Sequence, residues 1–365
     1  MTRARTKALL LAGGLLAGAL AAEAAVRAVE PAPYRGAEIR MSDGRVASLS
    51  EIIGVARGGP ESRAASHPSG TIPPGTHFKV WYDRPKGPQF DRDGCIDVVA
   101  NHLGFRDLEF DADKKPGELR VLAIGDSFTI GHGVRLEDAW PQVLERLIRD
   151  RIGAPVEVIN GGFAAGSHWP AGYVDWIERD AFALHPDLLV IGFTLNDMHT
   201  DVPLLAYEAA REAPWLGGAS HFLNAIQRAI AQRRAVKSHP KDFAEIVRRD
   251  PMPWEQNQAA LRRIRDLCRE HGVDFAVAVF PMLSLLDGDY PYLELHRMVD
   301  AFCAAEGIPC VDLLDRFRGE PEGSLWVHPT DQHPNIEGLR RFAEGIDAFL
   351  KPTVDARARS IRATR

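Results

Sequence analysis

Five short apolar runs recur along the chain, each bounded by turn residues and separated by stretches with apolar residues at helical spacing. They fall at 120–124, Val156–Asn160, Asp187–Gly192, Asp274–Phe280 and Pro309–Leu313. Between them, a helix near Asp138–Arg151 places Trp140, Val143, Leu144, Leu147 and Ile148 on one face, and further helices are predicted near Pro170–Leu184, 255–271 and 291–306. A last helix starts at Asn335 and offers Ile336, Leu339, Phe342, Ile346 and Phe349 for burial. Alternating strands and helices predict a parallel sheet of about five strands, covered by helices on both faces and joined by right-handed crossovers.

Three regions depart from this alternation. Residues 1–29 begin with Arg3, Arg5 and Lys7, followed by an uncharged apolar run from Ala8 to Ala22. That pattern predicts a signal peptide or, if the run continues past Glu23 to about Ala28, a membrane anchor. Ala19-Leu20-Ala21 fits a small-x-small cleavage site, and in either case the basic flank stays inside while the rest is translocated. Residues 30–117 read as a linker followed by a small irregular and β-rich subdomain, with strands at Phe78–Tyr82 and Cys95–Ala100. Residues of about 198–250 form an insertion with an amphipathic helix, Ser220–Val236, that carries Arg228, Arg233 and Arg234; it reads as a solvated helix, as a lid over the sheet, or as a surface that meets anionic lipid or polymer. The main domain spans 118–351, and 352–365 read as a basic tail.

Composition narrows the picture only a little. Charged residues make up 26% and hydrophobic residues 45%, as expected of a folded chain. The net charge of −6 gives no basic field for nucleic acid. Cys95, Cys268, Cys303 and Cys310 contain no CxxC pair, so a zinc ribbon or thioredoxin-like motif is unsupported. They read as buried small residues, or, for Cys303 and Cys310, as a pair in an exported chain.

The candidate chemistry sits where strands end. Gly125-Asp126-Ser127 closes the first strand and puts a hydroxyl at the carboxyl edge of the sheet, where open α/β sheets bind ligands. A serine nucleophile needs a base, an acid to orient that base, and donors for the oxyanion. His333 precedes the last helix, with Asp331 two residues upstream; Asn335 reads as the helix N-cap. Gly162 follows the second strand and Asn196 the third, and with the Ser127 amide they are the candidate oxyanion donors. Asp126 reads as a turn holder and His132 as a loop residue or one that lines the cleft, while His168 and Trp169 are candidate substrate contacts.

Taken together and in order, these residues resemble the four blocks of the SGNH (GDSL-type) hydrolase superfamily. The blocks are Gly125-Asp-Ser-Phe-Thr129, Val158-Ile-Asn-Gly-Gly162, Gly192-Phe-Thr-Leu-Asn-Asp197 and Asp331-Gln-His-Pro-Asn335, within a resemblance that covers about 118–350. The resemblance implies a three-layer α/β/α fold with a flavodoxin-like parallel sheet. It also implies Ser127 as nucleophile, His333 as base, and Ser127, Gly162 and Asn196 as the oxyanion hole. One departure concerns the acid. The common position, three residues before the histidine, is Thr330, which leaves Asp331 as the candidate and Asp312 or Asp315 as substitutes. The expected activity is that of an exported esterase acting on O-acyl or O-acetyl esters, small-molecule, glycan or lipid, with no metal or organic cofactor. A glycan hydroxyl in place of water would make the same residues an O-acetyltransferase. A non-catalytic envelope binding module is the reading from another class. No HExxH, P-loop or GxSxG pattern supports a metalloprotease, an NTPase or an ordinary α/β-hydrolase.

Overall fold

The structure, a computed structural model, describes residues 3–29, 36–48, 71–163, 169–199, 202, 220–227, 230, 243–321 and 323–363. The chain divides into two compact units. One comprises Met1–Arg35 with Leu205–His239, and the other Gly36–Leu204 with Pro240–Arg365.

In the first unit, helix α1 (Arg3–Val29) exposes Leu10, Leu11, Leu15, Leu16 and Leu20. Its Leu10–Ala28 stretch has a mean hydropathy of 1.5 and is long and apolar enough to cross a membrane. Glu23 is the one acid in this stretch, and its carboxylate is taken up within the same unit. It accepts hydrogen bonds from Ser220 Oγ (2.8 Å) and from the amides of His221 and Phe222 (both 3.0 Å). These amides open a helical segment over 221–227 and have no carbonyl of their own to meet. The predicted arginine face of that helix, and most of the predicted lid, lie outside the described residues.

The second unit holds both sheets. The antiparallel one consists of β1 (Glu38–Met41), β2 (Val46–Ala47), β3 (His77–Trp81) and β4 (Cys95–Val99), in the order β2-β1-β3-β4. In β3, Phe78 and Val80 are buried while their neighbours are not, the alternation of a sheet with one covered face. β1 and β2 fall in the stretch expected to be linker; their four and two residues are too short for a period to be read.

The parallel sheet comprises β5 (Leu119–Gly125), β6 (Val156–Gly162), β7 (Leu188–Thr194), β8 (Asp274–Phe280) and β9 (Cys310–Asp312), in the order β6-β5-β7-β8-β9. Every residue of β5 and β7 is buried, as continuous apolar runs in a sheet covered on both faces require. The exception in character is Arg120, buried at the amino end of β5. It is answered by Glu118 (2.7 Å) and by the carbonyls of Ala112 and Leu184. Strand order reverses beside β5, which places the switch-point crevice at the end of that strand.

Around the sheet lie the short helix α2 (Ser127–Ile130), α3 (Trp140–Ile152), α4 (Pro170–Arg179), α5 (Ala244–Arg249), α6 (Met252–Glu270) and α7 (Leu293–Glu306). A ribbon of β10 (Trp326–His328) and β11 (Asp331–Pro334) leads into α8 (Ile336–Ala363). Helix α3 packs with α8, and α4 with α6.

Two expectations are corrected. The helix predicted to 184 stops at Arg179 and continues as a 3₁₀ turn, Ala181–Leu184. The basic tail expected from 352 is the continuation of α8, which runs through Pro352 and buries Val354 and Ala358. Arg151 of α3 holds this part of α8 by pairing with Asp347 (2.6 Å) and Asp355.

Candidate active site

β5 ends at Gly125, and the chain turns at once into α2. Asp126 caps that turn, its Oδ1 accepting the Phe128 amide at 2.8 Å, which is the turn-holding role expected of it. Ser127 is therefore the first helical residue, and its N–H has no carbonyl partner within the helix. Burial pushes the Asp126 carboxyl up to about 6, against the lowering pull of the Phe128 amide and of His333.

The ribbon β10–β11 brings the other partners from the far end of the chain. Asp331 and His333 are two residues apart on β11, so both side chains leave the same face. This strand geometry is why an acid at the minus-two position reaches the imidazole. His333 Nε2 lies 2.8 Å from Ser127 Oγ, and His333 Nδ1 lies 2.5 Å from Asp331 Oδ1. The alternative acids are elsewhere. Asp312 faces His296 Nδ1 at 2.8 Å, and Asp315 pairs with Arg318 at the surface. Burial pushes the His333 imidazole down, but the charge and hydrogen bond of Asp331 outweigh it and hold the group above its ordinary value. Burial pushes Asp331 up, and the two facing histidines more than reverse this, so its carboxyl sits well below the usual range.

Asn196 occupies a 3₁₀ turn, Leu195–Asp197, directly after β7. Asp197 reaches back to the Thr194 amide at 3.1 Å, and Asn257 of α6 donates to the Asp197 carbonyl at 2.6 Å. Asn257 also accepts the Ala171 amide of α4 at 3.0 Å, so one buried side chain joins two loops at the sheet's carboxyl edge. Asn196 is half-buried, and among the described residues its Oδ1 has no hydrogen-bond partner.

Gly162 sits beside Gly125 in register, at the same edge as Ser127, and its amide donates to Asn160 Oδ1 at 3.1 Å. What demands a glycine there is packing. A Cβ at this position would fall 2.2 Å from the Ile130 nitrogen and 2.6 Å from its α-carbon. Only a bare α-carbon lets the helix that carries Ser127 close onto the end of β6. Asn160 is held in turn by Asp107, whose Oδ2 accepts its amide at 2.8 Å. His168 lies outside the described residues; Trp169 is half-buried and precedes α4.

Three further neighbours surround these residues. Tyr82, just after β3, donates to Asp331 Oδ2 at 2.7 Å. His132, read as a loop histidine, brings Nε2 to 3.4 Å from the same oxygen, with its ring 4.4 Å from that of His333. Arg106 is fully buried and donates to the carbonyls of Ile130 (2.7 Å), Gly131 (2.5 Å) and Val134 (2.6 Å), fixing the loop after α2. The Gly-His-Gly spacing around His132 was a visible cue to a loop near the site; Tyr82 and Arg106 had none.

Comparison with known proteins adds a family. Residues 123–341 match the model of the GDSL-like lipase/acylhydrolase family. No curated protein matches the chain. Among solved structures, a lipase/acylhydrolase from Enterococcus faecalis is 15% identical, covering 64% of this chain and 96% of that one, with a TM-score of 0.40. A psychrotrophic esterase from Pseudoalteromonas sp. is 11% identical over 65% and 98%, with a TM-score of 0.40. An acetyl-xylooligosaccharide esterase from Geobacillus stearmophilus is 14% identical over 64% and 94%, with a TM-score of 0.39. These likenesses are too distant to transfer anything further. The family match extends from β5 into α8 and takes in the ends of β5, β6 and β7 and the ribbon before α8. The chain belongs to the GDSL-like lipase/acylhydrolase family and is an ester hydrolase.

Proposed function

We propose that this hydrolase is an exported, membrane-anchored serine esterase that cleaves O-acyl or O-acetyl esters through Ser127, His333 and Asp331. The observation that carries the reading is the unbroken chain of contacts from Ser127 Oγ to His333 (2.8 Å) and on to Asp331 (2.5 Å). In this mechanism His333 Nε2 takes the hydroxyl proton as Ser127 Oγ attacks the ester carbonyl. Asp331 holds the Nδ1–H tautomer and stabilises the imidazolium. The tetrahedral oxyanion meets the Ser127 N–H and the Asn196 side chain. Gly162 joins them only if its N–H leaves Asn160. Collapse expels the alcohol, which takes the proton from His333. Water, activated by the same imidazole, then releases the acid. On this reading the hydrolase domain begins near 118 and runs through the whole of α8, with the region before 118 as a subdomain built onto it.

A fluorophosphonate probe is expected to label the folded protein at Ser127, located by peptide mass. A protein that cleaves short p-nitrophenyl esters while labelling elsewhere, or not at all, sinks the assignment. The pH profile follows from the sign of the His333 shift. Imidazolium cannot accept the serine proton, so kcat/KM is present above the His333 pKa and lost as pH falls through it. The acid limb should lie above the ordinary histidine value of 6.5; a limb at or below it contradicts the Asp331–His333 pairing.

Retention of α1 is supported by Glu23. Cleavage after Ala21 would leave Glu23, the acceptor of three hydrogen bonds at the start of the 221–227 segment, second from a new N-terminus with no helix before it. Intact mass of the detergent-extracted protein should therefore include residues 8–21. A mature chain that begins at Ala22 or later rules the anchor out.

A further inference from the structure

The triad acid has two oxygens, and only one of them serves the base. Asp331 Oδ1 accepts from His333 Nδ1 and from the His333 amide at 3.1 Å. Oδ2 is met by neither of these donors. Its side chain is only 10% exposed, so an unanswered lone pair there would be costly. Short ribbons such as β10–β11 are also weak supports on their own. Something outside the ribbon has to hold this carboxylate.

We propose that Tyr82, assisted by His132, is the positioning residue for Asp331, so that the N-terminal antiparallel sheet completes the active site. This rests on the triad reading above. The Tyr82 hydroxyl donates to Oδ2 at 2.7 Å, and among the described residues it bonds no other carboxylate. The ring is fully buried and locked by neighbours: Phe90 meets it edge-on at 5.3 Å and His328 lies at 5.5 Å. Its own amide bonds to the Gly94 carbonyl at 2.9 Å, so the backbone is fixed to the turn that precedes β4. His132 Nε2 lies 3.3 Å from the Tyr82 oxygen and 3.4 Å from Oδ2. With its proton on Nε2, His132 donates toward both, while the single Tyr82 proton goes to Asp331. The carboxylate is thereby gripped from both sides: Oδ1 by the imidazole it orients, Oδ2 by a residue 249 positions earlier in the chain. Neither Tyr82 nor His132 touches the reacting atoms; both act through Asp331.

The hydrogen bond also tunes the base. A donor on Oδ2 draws charge away from Oδ1 and loosens the hold of Asp331 on the His333 proton. Removing the donor concentrates that charge on Oδ1, so the acid limb should move to higher pH.

The test is Tyr82→Phe in the full chain, which keeps the ring and its packing and removes only the hydroxyl. Expected is a fall in kcat for short p-nitrophenyl esters of about tenfold, the loss implied by one hydrogen bond to a charged group. KM should stay within about twofold, since the residue does not contact substrate, and the acid limb should move upward. His132→Asn, which keeps a donor of shorter reach, should move the limb the same way by less. A folded Tyr82→Phe enzyme with wild-type kcat, or with lower kcat and an unmoved limb, overturns the proposal. Ser127→Ala and His333→Ala, assayed alongside, separate the two readings. If either retains activity the triad itself fails; if both are inactive while Tyr82→Phe is indifferent, only the role of Tyr82 fails.

Discussion

Replacing Ser127 by alanine is expected to lower kcat on the order of 10⁴- to 10⁶-fold while leaving the fold intact. The hydroxyl is the only group removed. Asp126 still caps α2 through the Phe128 amide, and the backbone N–H of residue 127 is retained. What is lost is the bond-forming oxygen itself. The residual rate would come from the oxyanion donors and from binding, which act on a water attacking without an acyl-enzyme. Steady-state hydrolysis of a short-chain ester, with circular dichroism to establish folding, makes the measurement. A loss of less than about tenfold would show that another group carries the attack, because no surviving donor can substitute for a nucleophile.

The second large effect is expected at Asp331→Asn, with a fall in kcat of about 10⁴-fold, the scale seen when the acid of a serine protease triad becomes an amide. The charge is lost, and the amide that replaces it can turn either way. The His333 Nδ1–H no longer meets a charge, so the imidazolium formed during attack is unsupported. An amide nitrogen turned toward His333 favours the tautomer with its proton on Nε2, which cannot accept from Ser127. An amide nitrogen turned the other way meets the Tyr82 hydroxyl and His132, two donors in their present arrangement. Neither orientation satisfies both sides. Fluorophosphonate labelling of Ser127 should slow in parallel with hydrolysis, since both need the same base. Hydrolysis lost with labelling unchanged would assign Asp331 to deacylation alone and contradict its role as the orienting acid.

The parts of this molecule that the sequence made legible are those set by local rules. β5 and β7 are continuous apolar runs because both their faces are covered, and the residues that end them, Ser127 and Asn196, follow directly. His333 was legible because it stands just before a helix whose cap, Asn335, is written in the sequence and accepts the Gly338 amide at 3.1 Å. Asp331 was legible as a candidate but not as a strand partner, since four residues of ribbon carry no readable period. Gly162 was legible as a site residue but not in its packing role. A glycine at a strand end is the same letter whether it offers an amide to a ligand or makes room for a neighbouring backbone, and here Ile130 occupies that room. Tyr82 and Arg106 were invisible because their meaning lies in contacts 249 and 24 to 28 residues away. The continuation of α8 past Pro352 was hidden by the residue itself. Proline usually stops a helix, yet burial of Val354 and Ala358 and the grip of Arg151 carry this one on.

The buried guanidinium of Arg106 bears on how this enzyme can be cut. Among the described residues its hydrogen bonds reach no carboxylate, only three carbonyls of the loop that follows the Ser127 helix. A fragment trimmed to begin at Glu118 would contain every member of the proposed triad, the three candidate oxyanion donors and all five strands of the parallel sheet. It would nevertheless lose the guanidinium that holds that loop, and the hydroxyl proposed to steady Asp331. On that proposal the smallest useful expression fragment is set by the reach of two side chains from upstream, and starts before β3 rather than at the edge of the four sequence blocks.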